Sequence, residues 1–440
     1  MIKNMLLPPL VCKWILPLTK DFSKPQQSNL LILLLGMLFH PGALTLEGAR
    51  RVSAFAKSLS ALTRFLNTEQ WKCEDLWLPI RNKMLDEAIA RFGRRRKRPR
   101  TKWRKKKGRK VKKVVTTQPI PVYLSIDDTL VEKPTTSHHF EGFAWHWDHT
   151  QSKSVWALCV VSVNVQIGGY VFPGAFEVFL PKKGVGKLRK SYPGLRFFKK
   201  TALALRLLKG FEGKFPKERF SVYVLMDSYY SSNKILNYCR RQGYDTIAAI
   251  KQNRKLDGKR VDEYARTLKP KAWERINVPS ASGTKTMSYR VVLVKGVLNK
   301  VCGRGSVVIS KRGHGDKSPK YFFSTNPRLS AIEILARYAK RWQVEIDYFF
   351  LKEKLGLSDF RIRHFGAIMR YITIMFVALC LLQYVRWRLY EKRKEIPSLG
   401  EAFHHLRREL TNRRLKVAYR WFQQNYSFEG IVSKLFAHAV

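Results

Sequence analysis

Two stretches decide the fold: PVYLSIDDT, residues 121–129, and RFSVYVLMD, residues 219–227. Each is a short run of β-branched, aromatic and aliphatic residues, the composition of a buried strand. Each also ends in acid, with Asp127 and Asp128 closing the first and Asp227 closing the second. Working outward, SVWALCVVSVNV (154–165) and GYVFPGAFEVFL (169–180) are two more strand-like runs, joined by the turn-like QIGG. Three consecutive strands with short connections are expected to be antiparallel. A helical stretch at roughly 194–210 (GLRFFKKTALALRLLKG) precedes the second acid-bearing strand. A helix (NKILNYCRRQG) and a fifth strand (YDTIAAIKQ) follow it. The order is β-β-β-α-β-α-β, an α/β class with a mixed five-stranded sheet and flanking helices.

Residues 254–325 interrupt this order. They hold strand-like pieces (TMSYRVVLVKGVL, RGSVVISK, KYFFST) and Gly/Lys-rich turns, and are expected to form a β-rich insertion at about 254–325. A long helix is then expected from Ser330, where Ser330 and Glu333 fit a capping box before the periodic segment AIEILARYAKRWQVEIDYFFLKEKLG. The chain before the first strand divides in two. Residues 1–90 are helical in pattern, and TLEGARRVSAFAKSLSALTRFLNTEQW suggests short helices joined by a tight turn, as in small DNA-binding modules. Residues 91–117 form a basic linker or arm: RFGRRRKRPRTKWRKKKGRKVKK (91–113) has sixteen Lys/Arg and no acid. Like charges at that density do not pack into a core. The expected units are therefore a helical DNA-binding domain at 1–90, a basic linker or arm at 91–117, an α/β domain with the β-rich insertion at 118–390, where the catalytic groups are sought, and a basic helical C-terminal region at 391–440.

The whole chain is as unbalanced as the arm. It has 84 Lys+Arg against 32 Asp+Glu, a formal net charge of +52. A compact body so charged repels itself, and a polyanion offsets that cost by releasing its counterions on binding. Nucleic acid is the implied partner class. The six cysteines form no C-x-x-C pair and are expected as small core residues rather than zinc ligands or disulfides. LLILLLGMLF (30–39) and YITIMFVALCLLQYV (371–385) both fall short of the roughly 20 residues a membrane span needs, so the second is expected as a buried helix and no membrane partner is implied. The histidines of HHF…WHWDHTQ (His138, His139, His146, His149) have no zinc-like spacing.

In a chain so poor in acids, carboxylates at two strand ends and one in a helix stand out. Two-metal phosphoryl transfer needs a few such groups converging from separate elements, and carboxylate oxygens suit Mg²⁺. Glu345 lies mid-way along the expected long helix. Tyr338, Arg341, Glu345 and Lys352, spaced 3, 4 and 7 apart, fall within roughly 60° on one helical face at about 100° per residue. Leu335, Trp342, Ile346 and Phe349 form the adjoining apolar stripe. A plain i,i+4 ion pair between Arg341 and Glu345 is the ordinary alternative. Strand alternation does not choose between Asp127 and Asp128, because a central strand is buried on both faces.

At this point the sequence resembles a known family. Tyr338-x2-Arg341-x3-Glu345-x6-Lys352 looks like the YREK signature of a bacterial insertion-sequence group of DDE transposases, which have an RNase H-like core. SIDDTL resembles the group's first-aspartate motif, with the acid directly before Thr, which points to Asp128 over Asp127. MDSYYSS resembles the second motif at Asp227, and IAAIKQNRKL the segment usually found downstream. The resemblance covers roughly 45–390 and implies a mechanism. Asp128, Asp227 and Glu345 would hold two Mg²⁺, with Mn²⁺ as a substitute, for cleavage at transposon ends and strand transfer into target DNA. Tyr338, Arg341 and Lys352, with Arg94, Arg95, Arg96, Lys105, Lys106 and Lys107 of the arm, are the expected DNA-binding residues. No small-molecule cofactor is implied. A homodimer on double-stranded DNA and a bacterial cytoplasmic, nucleoid-associated location are further expectations. The rival readings are an RNase H-fold nuclease without transposition, a DNA-binding protein derived from a transposase, and a basic RNA-binding structural protein.

Overall fold

The computed structural model describes residues 8–40, 44–53, 57–92, 101–106, 109–114, 119–134, 136, 139–280, 285–312, 318–393 and 395–435, with backbone alone for 101–106 and 109–114. Its centre is one large mixed sheet. The first core strand, β3 (Ile120–Glu132), pairs antiparallel with β5 (Lys153–Ile167) on one side and parallel with β7 (Phe220–Met226) on the other. The far edge of β5 carries two strands end to end: β4 (Ala144–Asp148) along residues 153–157 and β6 (Tyr170–Phe179) along 159–167. Beyond β7 lies β8 (Asp245–Ala249), also parallel. The order β6-β5-β3-β7-β8 is that of an RNase H-like core, as the element order predicts. Valines and isoleucines fill β3, β5 and β7 because these strands are covered on both faces.

The expected β-rich insertion is not a separate unit. Its strands β11 (Glu274–Pro279), β12 (Thr286–Gly296), β13 (Gly305–Arg312) and β14 (Lys320–Ser324) continue the same sheet. β14 pairs antiparallel with β8, so the order runs on as β8-β14-β13-β12-β11. The edge strand the five-stranded core would expose is thereby covered. Two short strands, β9 (Lys255–Leu256) and β10 (Lys259–Arg260), form a tight hairpin that leads through α9 (Val261–Thr267) into the insertion strands.

The N-terminal region is helical, with α1 (Pro9–Ile15), α2 (Lys24–Phe39), α3 (Leu46–Val52), α4 (Leu59–Asn67) and α5 (Cys73–Phe92). It does not stand off as a module. Leu30–Leu35 of α2, Leu62 of α4 and Ile80 of α5 belong to the same continuous apolar core as Leu124, Ile126, Val163 and Phe172 of the sheet. The reason lies in α12 (Phe365–Arg393), the 29-residue helix containing YITIMFVALCLLQYV. It is long and apolar enough to cross a membrane, yet most of its apolar window is buried within the fold. It packs on α2, α4, α5 and β6, tying the N-terminal helices to the sheet. Within the expected arm, β1 (Thr101–Lys106) and β2 (Arg109–Val114) pair as an antiparallel hairpin, with Lys106 opposite Arg109. Arg94, Arg95, Arg96 and Lys107 lie outside the described residues, as does His138.

Candidate active site

β3 and β7 run in parallel register, Ile126 beside Met226. The next residue on each chain is Asp127 and Asp227, so the register itself sets these two acids side by side. Asp127 and Asp128 are not at a strand end as expected. β3 continues to Glu132, and both acids face β5, opposite Ser162 and Val161. Successive residues of a strand point to opposite faces, so the two acids belong to different environments.

Asp127 lies on the face covered by the helices that follow Ser330. The capping box forms as predicted, with Glu333 N donating to Ser330 Oγ (3.3 Å) and Ser330 N donating to Glu333 Oε2 (3.0 Å). The expected single helix is instead two: α10 (Ala331–Ala339) and α11 (Trp342–Glu353). Between them the backbone bonds run i→i−3, from Lys340 to Arg337, Arg341 to Tyr338, Gln343 to Lys340 and Val344 to Arg341. This tight 3₁₀-like turn places Arg341 at the joint. Its guanidinium donates to Asp127 Oδ2 and, through the other terminal nitrogen, to Glu345 Oε1. Arg341 thus bridges the strand acid and the helix acid. Tyr348, two turns on, donates its hydroxyl to the Asp127 carbonyl (2.8 Å) and lies 2.7 Å from Ser162 Oγ. Asp347 is buried between Asn164 Nδ2 and Gln383 Nε2, the latter at 2.9 Å.

Burial pushes the Asp127 carboxyl up to about 7. Arg341 opposes the shift, while the charges of Asp227 and Asp128 add to it. Asp227 is raised as well, mainly by burial. The backbone N–H groups of Tyr230 (3.2 Å) and Tyr229 (3.0 Å) donate to its Oδ1 and pull the other way.

Asp128 faces the opposite side. Its Oδ2 accepts from Lys200 Nζ (2.7 Å) at the start of α7 (Lys200–Lys209; α6 is Lys182–Leu188) and from Cys159 Sγ (3.3 Å). Its Oδ1 accepts from the Tyr230 hydroxyl (2.6 Å). The structure therefore brings Asp127, Asp227, Arg341 and Glu345 together and leaves Asp128 away from Glu345. Tyr338 packs its ring on Phe322, centroids 4.7 Å apart, under the Arg341 guanidinium. Lys352 lies further along α11, half-buried, within the field of Glu132 and Asp148. Of the expected apolar stripe, Leu335 is buried and Ile346 packs against the core, while Trp342 and Phe349 are 57% and 52% exposed; along α11 the inward positions are Val344, Tyr348 and Leu351. His139 and His149 are exposed and His146 is half-buried with its Nε2 unpartnered. These histidines do not converge.

The loop carrying Asp227 is braced by Arg254 of the KQNR segment, which donates to the Ser231 carbonyl (2.9 Å) and to Asn233 Oδ1 (2.8 Å) at the start of α8 (Asn233–Gln242). Sequence reasoning assigned no role to Lys200, Tyr230, Arg254 or Tyr348. Only the KQNR and MDSYYSS motifs carried a signal, and they marked the segments of Arg254 and Tyr230 without their purpose.

Among the described residues, no three His, Cys, Asp or Glu side chains gather tightly enough to hold a metal ion. The donor chemistry still fits a hard divalent cation: Asp127 on β3 and Asp227 directly after the neighbouring β7 supply adjacent carboxylates, and the Arg341 guanidinium stands as the positive charge between Asp127 and Glu345.

Comparison with known proteins agrees with this chemistry. A family model described as transposase DDE domain matches residues 200–381. A second, described as DDE superfamily endonuclease, matches residues 98–275. No curated protein sequence matches the chain. Among solved structures, a piggyBac transposase synaptic complex with hairpin DNA is similar over 99% of this chain and 85% of that one, at 9% identity and a TM-score of 0.46. The two family models overlap on the strand that leads to Asp227 and together span residues 98–381, from the basic hairpin through Glu345 into α12, so the chain carries a transposase domain of the DDE type.

Proposed function

We propose that Asp127, Asp227 and Glu345 form the acidic triad of this transposase and hold two Mg²⁺ ions, for which Mn²⁺ can substitute. Divalent-metal dependence is a property of DDE-family enzymes. The observation that carries this assignment is the parallel register that sets Asp127 beside Asp227, together with Arg341 joining Asp127 to Glu345. It moves the first acid by one residue from Asp128, to which the resemblance of SIDDTL to the family motif pointed. Bound metal would supply Lewis-acid stabilisation of charge on the attacking and leaving oxygens.

Water attacks a phosphodiester at the transposon end. The bond from phosphorus to the 3′ oxygen breaks, and the freed 3′-OH then attacks a target phosphodiester and displaces a target 3′-OH. Arg341, with both terminal nitrogens on carboxylates, keeps two acids at one point and limits their mutual repulsion. Tyr348 holds α11 against β3, so Glu345 stays in reach of the strand acids. Tyr338 supports Arg341 from below. Lys352 and the cations of the arm would take DNA phosphates, which position the duplex without reading its sequence. The Tyr338-Arg341-Glu345-Lys352 spacing supports membership of the YREK insertion-sequence group. Two transposon ends must meet, so the active form is a homodimer on double-stranded DNA. A bacterial nucleoid location follows from that group.

The test is cleavage of a duplex taken from the DNA flanking the reading frame, in Mg²⁺ and in EDTA. Asp127→Asn, Asp227→Asn and Glu345→Gln should each abolish metal-dependent cutting, with DNA binding retained. Cutting by all three variants at the wild-type rate would refute the triad.

A further inference from the structure

Asp128 is adjacent to the proposed triad yet shares no partner with Arg341 or Glu345. Both of its oxygens are occupied, Oδ2 by the Lys200 ammonium at 2.7 Å and Oδ1 by the Tyr230 hydroxyl at 2.6 Å. Lys200 is itself enclosed, 5.6 Å from the ring centres of both Phe179 and Tyr229. A carboxylate whose charge is matched by an enclosed ammonium has little left to offer a metal ion.

Tyr230 is fully buried and bound to two acids at once. Its hydroxyl donates to Asp128, and its backbone N–H donates to Asp227 Oδ1 at 3.2 Å. The segment around it is a stiff loop: Ser231 Oγ donates to the Ser228 carbonyl (2.9 Å), and Ser232 N donates to the Tyr230 carbonyl (2.7 Å). Whatever fixes the Tyr230 ring therefore fixes the turn from which Asp227 projects. β7 ends at Met226, so the strand ladder does not hold that turn. Asp128 does, from the back of the neighbouring strand.

We infer that Asp128 is a positioning residue: neutralised by Lys200, it anchors Tyr230 and so holds the Asp227 loop in register with Asp127. The inference rests on the triad proposed above. It assigns the two consecutive acids of β3 to opposite tasks, Asp127 to the metal and Asp128 to the geometry of the next ligand. Partners that orient metal ligands typically change affinity or activity by about 10–100-fold when removed.

The experiment uses the full-length protein with Mn²⁺ as the probe, its bound ions counted by electron paramagnetic resonance. Cleavage of the flanking-DNA duplex is followed at saturating and at limiting DNA. The variants are Tyr230→Phe, Asp128→Asn, the double variant and Asp127→Asn, each checked by thermal melting. Tyr230→Phe and Asp128→Asn should each lower the rate at saturating DNA by about 10–100-fold, with DNA affinity unchanged. Both should keep the wild-type number of Mn²⁺ sites at reduced affinity. The double variant should be no slower than the slower single one, because both changes cut the same link. Asp127→Asn should lose a Mn²⁺ site. If Asp128→Asn loses a site while Tyr230→Phe cuts normally, Asp128 is a ligand and the inference is overturned. Wild-type cutting by Tyr230→Phe also overturns it, with the triad left standing. If Asp127→Asn keeps every site, the triad reading has failed and the inference falls with it. Should Asp128→Asn not fold, Tyr230→Phe carries the test, since it removes one oxygen and keeps the ring.

Discussion

A single carboxyl, Asp127, sets a measurable pH signature. Burial raises it to about 7, with Arg341 opposing and Asp227 and Asp128 adding, against an ordinary value near 4 in an unfolded chain. Between those values the folded protein keeps a proton that the unfolded chain has released. Stability then falls as pH rises through that window, and the cost is complete above about 7. Asp127→Asn has no such proton to lose. The metal-free variant should therefore melt above wild type at pH 8, by on the order of a few degrees, and the gain should vanish near pH 4. Melting curves in EDTA across pH 4–8 check this, and a constant difference over the range would contradict the shift. The same residue marks how far sequence could reach. That Asp127 and Asp128 must face opposite sides follows from the two-residue period of a strand. Which side holds the helix acid does not, because β3 is flanked by apolar residues on both faces and the deciding partner, Arg341, comes from 214 residues away.

The helices after Ser330 show at the next scale what a pattern can hide. The capping box was legible and forms. The apolar stripe was legible only in part, at Leu335 and Ile346, because a 3₁₀-like turn advances about 120° per residue where an α-helix advances about 100°. The turn at Lys340–Arg341 shifts the phase, so Val344, Tyr348 and Leu351 face inward while Trp342 and Phe349 face out. No residue in ARYAKRWQ is a helix breaker, so local composition carries no warning of the joint. The Arg341 contacts to Asp127 and Glu345 sit there. Tyr348 is a buried polar fastening of the element to the sheet, through Ser162 and the Asp127 carbonyl, beside the Asp347–Asn164 hydrogen bond. Tyr348→Phe should cost about 1–3 kcal/mol, the penalty for stranding buried polar partners, read as a lower denaturant midpoint. Phe349→Ala, on the exposed side of the same helix, should stay within about 0.5 kcal/mol of wild type. Equal losses from the two changes would refute the phase described here.

Across the whole molecule, the apolar runs were easy to identify and their partners were not. Hydrophobic burial is non-directional, so LLILLLGMLF announces a buried helix without naming α12 as its neighbour. The β-rich insertion was likewise recognisable as strands, while its pairing through β14 onto β8 depended on an edge no local pattern describes. Charge is the opposite case, because it acts at long range and its consequence can be argued from the count alone. With a formal net charge of +52, binding to duplex DNA should be driven by release of condensed counterions. The logarithm of the association constant should then fall linearly with the logarithm of salt, by about 0.9 per phosphate neutralised. Lys105 and Lys106 lie at the end of β1, where the basic hairpin turns, and Lys107 follows them in sequence. If that turn lies on phosphates, replacing all three with Ala should make the slope shallower by about 3. The weakening should be the same for flanking-DNA and unrelated duplexes, because phosphate contacts carry no sequence information. Fluorescence anisotropy over a salt series measures both. An unchanged slope would move the DNA path off the hairpin, and a loss confined to the flanking duplex would make the turn a reader of bases.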